Sequence, residues 1–121
     1  MASGYLADNL YGVTLPPEPG VSKELKIVNE MVSERCDFDV IVNFRQVEIL
    51  TSPSLANLIT LHDLVQGSGH RLVLYNMSLT TKSIFIATGL DAFFHFADSR
   101  DAAVEACRSN LLEHAESWRL S

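Results

Sequence analysis

The chain carries little of what most functional sites are built from. Its 121 residues include only two cysteines, Cys36 and Cys107, which lie far apart and match no zinc spacing. The nine Lys and Arg residues are scattered through a chain of formal net charge -6, so no basic face exists to neutralise phosphates, and nucleic acid is not an expected partner. No apolar run approaches the roughly 20 residues of a membrane-spanning helix. The N-terminus lacks the basic-then-apolar order of a signal peptide, which makes a reducing cytoplasm the expected location.

Catalytic signatures are missing too. There is no Gly-x-Ser-x-Gly elbow, and Gly67-Ser68-Gly69 lacks the lysine and the length of a phosphate-cradling loop, so it reads as a turn. His62, His70, His95 and His114 include no pair at the close spacing of a zinc site. His62 shares a helical stretch with Leu55 and Ile59 and reads as a packed ring with one nitrogen paired. Asp37 and Asp39 point to one side of a strand, and Asp98, Asp101 and Glu105 crowd a helix start, so both groups read as solvated surface. No metal, no cofactor and no enzymatic activity are expected.

What the chain does have is a core, since 47% of its residues are hydrophobic and 121 residues suit one domain spanning 1 to 121. Short apolar pieces between Ser3 and Leu15 predict a hairpin or two edge strands, which Pro16, Pro17, Pro19 and Gly20 then end. Ser22 to Ser33 carries Val21, Leu25, Val28 and Val32 on one helical stripe. Phe38 to Phe44 and Leu72 to Tyr75 are near-continuous apolar runs, as in strands covered on both faces. Between them, Leu55, Leu58, Ile59, Leu61 and Val65 follow helical spacing from Pro53 to Gln66. A short helix from about Thr80 ends at Gly89, Phe93 to Phe96 makes a last strand, and a final helix runs from about 99 to 118 with Val104, Cys107, Leu111, Ala115 and Trp118 on its stripe. The alternation predicts an α/β fold, a small mixed sheet with parallel core strands covered by about four helices.

The most informative corner lies where the Phe38 to Phe44 strand feeds the second helix. Ser52 sits where an N-cap belongs, because Pro53 is preorganised for the first helical position. A capping role explains a serine there, and so does a regulatory one. The two roles can coexist.

The run Gly69-His70-Arg71-Leu72-Val73-Leu74-Tyr75-Asn76, followed by Ala87-Thr88-Gly89-Leu90-Asp91-Ala92-Phe93-Phe94, resembles the STAS domain of bacterial anti-sigma factor antagonists over roughly Asp37 to Ala106. The resemblance implies a STAS-like fold and a partner-switching protein. Such a protein binds an anti-sigma factor with serine kinase activity, and phosphorylation at the start of the second helix undoes the contact. Alignment of the family's Asp-Ser-Ser/Thr-Gly-Leu motif through Leu55 puts Ser52 on the acceptor serine, with Thr51 in place of the acid, Pro53 in place of the second hydroxyl and Ser54 in place of the glycine. Thr51 is the alternative acceptor, and Thr51, Ser52, Ser54 and Asn57 form the expected contact patch. The competing expectation is a scaffold or homo-oligomerisation module held by helical faces that include Trp118.

Overall fold

The computed structural model describes residues 2 to 7 and 9 to 108. Strand β1 (Ala2–Ala7) turns at Asn9 into β2 (Leu10–Thr14), an antiparallel hairpin in which Gly4 faces Gly12 and Tyr5 faces Tyr11. The hairpin is as expected, but only β1 lies at an edge. Strand β2 also pairs in parallel with β3 (Asp39–Asn43), aligning Gly12 with Ile41 and Val13 with Val42. Val13 and Leu15 are fully covered, so the second strand has the burial of an interior one.

Prolines at 16, 17 and 19 interrupt the chain after β2, and α1 (Gly20–Glu34) starts there, burying Val21, Leu25, Val28 and Val32 as its spacing predicts. β3 presents Val40, Ile41 and Val42 to both faces of the sheet. α2 (Ser52–Gly67) leads to β4 (Leu72–Tyr75), which is buried along its whole length. The turn between them uses Gly69 at φ +81, a left-handed conformation that costs glycine nothing.

α3 (Leu79–Ala87) ends as predicted near Gly89, at φ +77. A 3₁₀ turn (Leu90–Ala92) follows, so the last strand β5 (His95–Ala97) starts two residues later than the aromatic run suggested. Phe94 instead turns inward against Phe85, with ring centroids 5.5 Å apart, and Phe93 packs on His62. α4 (Arg100–Arg108) is capped by Ser99, whose hydroxyl accepts from the Ala102 N–H at 3.1 Å. The expected residues Leu111, Ala115 and Trp118 lie outside the described residues.

The sheet order is β1-β2-β3-β4-β5, with β2 to β5 parallel. Helices α1, α2 and α3 carry the crossovers and share the larger core with Val40, Val42, Leu72 and Leu74. The opposite face has α4 alone among the described helices, packing Ala103 and Cys107 on Leu10, Ile41, Val73 and Tyr75. Asp39 corrects an expectation here. It opens β3 facing α4, its side chain is 14% exposed, and it accepts from the Arg71 N–H at 2.9 Å and lies 3.3 Å from His70 Nδ1. Asp37, paired with Arg35 at 3.1 Å, is the solvated member of the two.

Candidate functional site

The segment leaving β3 is pinned before it reaches α2. Phe44 and Val47 are buried, the Val47 N–H bonds the Phe44 carbonyl at 2.9 Å, and Asn43 Oδ1 accepts from the Arg45 N–H at 2.9 Å. The chain therefore arrives at residue 51 from a fixed direction.

Thr51, and not Ser52, caps the helix. Its backbone is extended (φ -85, ψ 164), and its hydroxyl accepts from the Ser54 N–H at 3.3 Å while donating to Ser54 Oγ at 3.0 Å. The expected N-cap at Ser52 is thus displaced by one residue. Proline's missing N–H is harmless anywhere in the first helical turn, because those N–H groups have no intrahelical partner, so Pro53 fits the second helical position as well as the first. Ser52 becomes the first helical residue. It is exposed, and its hydroxyl makes no hydrogen bond among the described residues.

The expected contact patch divides in two. Thr51 and Ser52 face solvent, whereas Ser54 is fully buried and Asn57 is half-buried and engaged. Asn57 Nδ2 donates to Ser22 Oγ at 2.9 Å and to the Ser22 carbonyl at 3.2 Å, and the Asn57 carbonyl accepts from Asn29 Nδ2 at 3.0 Å. Asn57 therefore joins the second helix to α1, and the full burial of Ser54 corrects its place in the expected contact patch. A signal for Ser54 was present, since it lies one helical turn before Leu58 on the stripe that continues through Leu61, His62 and Val65.

Glu18 is the residue that spacing could not find. Its carboxylate accepts from the Thr51 N–H at 2.9 Å across 33 positions of sequence, bringing an acid beside Ser52 where the family motif would have one in the preceding residue. The donors of this helix start are largely used. Pro53 has no N–H, Thr51 holds that of Ser54, and Glu18 holds that of Thr51. A dianionic phosphate on Ser52 would face a carboxylate at a helix end that otherwise favours negative charge.

α3 begins beside this corner with the same kind of cap. Ser78 Oγ accepts from the Thr81 N–H at 3.1 Å and donates to Thr81 Oγ1 at 3.1 Å, and the Thr81 hydroxyl lies 3.2 and 3.1 Å from the carbonyls of Val47 and Glu48. Ile49, 59% exposed, follows the segment that Thr81 holds, and Leu79, 86% exposed, opens α3.

Other reactive groups are accounted for by packing. His62 is buried with Nδ1 3.3 Å from Asp63 and its ring 4.1 Å from that of Phe93. Burial pushes the Cys107 thiol up to about 12, which keeps it protonated and unreactive. No three His, Cys, Asp or Glu side chains among the described residues are placed to hold a metal. No helix among the described residues is long and apolar enough to cross a membrane.

No family model and no curated protein sequence matches the chain. Solved structures do. A candidate anti-sigma factor antagonist from Thermotoga maritima is similar with a TM-score of 0.75 at 16% identity, covering 88% of this chain and 93% of its own. The anti-sigma factor antagonist SpoIIAA in its unphosphorylated form gives 0.72 at 14% identity, over 89% and 96%. A sulfate transporter family protein from Wolinella succinogenes gives 0.68 at 20% identity, over 87% and 88%. At these identities the likeness is one of architecture, and the chain has the fold of the STAS-domain anti-sigma factor antagonists.

Proposed function

We propose that this protein is a non-catalytic partner-switching regulator that docks an anti-sigma factor with serine kinase activity against the Thr51-Ser52 corner, and that phosphorylation of Ser52 reverses the docking. The observation that carries the reading is the exposed, unbonded Ser52 hydroxyl on the first residue of α2, relieved of capping by Thr51. A serine needed for the cap would be tied to the backbone. This one is free to be modified.

Flanking apolar side chains support a protein partner. Ile49, in the loop that leads to the serine, and Leu79, which opens α3, are exposed, and exposed large apolar residues are the usual makings of a contact surface. A phosphate introduced at Ser52 would place two negative charges in a surface that must be desolvated on binding, and an unpaired buried charge is strongly unfavourable. Glu18 supplies the acid that Thr51 lacks, so the local charge offered to a kinase comes from the loop after β2.

The test mixes the protein with its cognate anti-sigma kinase and ATP, follows the intact mass and maps the modified residue. Addition of one phosphate at Ser52 with dissociation of the complex is expected, with neither event in Ser52→Ala. A complex that persists with Ser52 unmodified would defeat the reading.

A further inference from the structure

On the α4 side of the sheet, the carboxyl ends of β2, β3 and β4 border a cleft of about 350 Å³ between β1 and Arg100. That volume is at the small end of the roughly 300–1,000 Å³ typical of ligand sites. The carboxyl ends of parallel strands are also where open α/β sheets hold their ligands. The cleft lies outside the Ser52 corner, on the other face of the sheet.

Its lining is polar on one side and bare on the other. Gly4 and Gly12 face each other across the hairpin, and glycines inside strands mark places where another group approaches the backbone closely. A Cβ at Gly12 would come within 2.8 Å of Leu6 Cδ1, so Leu6 lies across that strand and walls the cleft, while a Cβ at Gly4 would meet nothing within 4 Å. The strand surface is therefore open at Gly4, with Leu6 covering Gly12 beside it.

The opposite wall holds Asn43, Tyr75 and Arg100. Tyr75 is 5% exposed overall, and its hydroxyl, which reaches the cleft, has no hydrogen-bond partner among the described residues. Burial raises its ionisation above the ordinary 10 and Arg100 opposes that rise, which leaves a protonated donor beside a guanidinium. Arg100 has no carboxylate partner among the described residues. It also opens α4, where the helix dipole disfavours a cation. None of the lining residues is acidic.

We propose that this cleft binds a small organic carboxylate, its acid group received by Arg100 and the Tyr75 hydroxyl and its apolar body lying over Gly4 against Leu6. The anion supplies the charge Arg100 lacks and the acceptor Tyr75 lacks. The body covers the strand surface left open at Gly4.

The test titrates the ¹⁵N-labelled full chain with benzoate and with hexanoate, with benzyl alcohol and inorganic phosphate as controls. Either carboxylate should move the amide signals of Gly4, Gly12, Asn43 and Arg100 with a dissociation constant of about 1 mM or tighter. Arg100→Gln should weaken binding about tenfold or more, as the loss of a charge-assisted hydrogen bond does. Tyr75→Phe, which keeps the ring, should weaken it roughly twofold to tenfold. The proposal is overturned if both carboxylates leave the four amides unmoved, or if benzyl alcohol or phosphate moves them equally. It is also overturned if Arg100→Gln, an exposed position whose spectrum elsewhere superimposes on the original, binds the carboxylate as tightly.

Discussion

Helices α2 and α3 both leave the carboxyl end of the parallel strands through a hydroxyl cap, Thr51 to Ser54 in one and Ser78 to Thr81 in the other. In each the capping hydroxyl takes the N–H three residues on and bonds the hydroxyl there, and in each that second hydroxyl residue is fully buried. They differ in what the first helical residue displays, an unbonded serine at 52 and an apolar side chain at Leu79. A hydroxyl cap at this end of the sheet is therefore structural in both helices, and the contrast between Ser52 and Leu79 is where function is to be sought.

Ser52→Asp tests that contrast most severely. Placing a carboxylate at residue 52 should weaken partner binding roughly a hundredfold, because the charge is desolvated without a counter-ion. The fold should tolerate it, with stability changed by less than about 1 kcal/mol, since acids suit the first turn of a helix. Binding measured by calorimetry beside urea denaturation separates the two quantities. Retained affinity would show that residue 52 lies outside the contact.

The two caps should differ in strength. Thr81 also serves the carbonyls of Val47 and Glu48, so Thr81→Val strips a buried group of its bonds at nearly constant shape and should cost about 2 kcal/mol. Thr51→Ala removes a cap at an exposed position and should cost about 1 kcal/mol. Urea midpoints at constant slope give both values. The reverse order would mean that the loop from residue 44 to 50 is anchored elsewhere than at α3.

Ser52→Ala is smaller still. With Thr51 holding the cap, losing the Ser52 hydroxyl should change stability by less than about 0.5 kcal/mol. A loss equal to that of Thr51→Ala would return the cap to Ser52 and remove the distinction on which the comparison rests.

Much of this arrangement is legible in the sequence. Val40 to Val42 and Leu72 to Tyr75 read as covered strands because both faces are apolar, and the stripe from Val21 to Val32 appears in the structure as spacing predicts. The position of β2 was not legible, because short apolar pieces announce a hairpin without revealing that one arm has a second neighbour 29 residues on, as Leu10 does in Asp39. Ser54 reads as surface by its polarity, whereas the Leu58 stripe, extended back one turn, reaches it. Asp39 was hidden for a related reason, since its partners at Arg71 and His70 come from the connection that leads into β4. Glu18 could not be found at all, because its link to Thr51 depends on how the Pro16 to Pro19 segment folds back over α2.

That link gives the smallest and most pointed effect. Glu18→Gln keeps an oxygen for the Thr51 N–H but removes the charge, so stability should fall by only a few tenths of a kcal/mol, as for other half-exposed charged contacts. In Ser52→Asp the same change should act in the opposite direction, because it relieves a repulsion between two carboxylates at one helix end. The double-mutant cycle should therefore return a coupling of about 0.5 kcal/mol that shrinks as salt is added. Additive effects at low salt would mean that Glu18 and residue 52 do not sense each other, and that the carboxylate at 18 serves only to hold the Thr51 N–H.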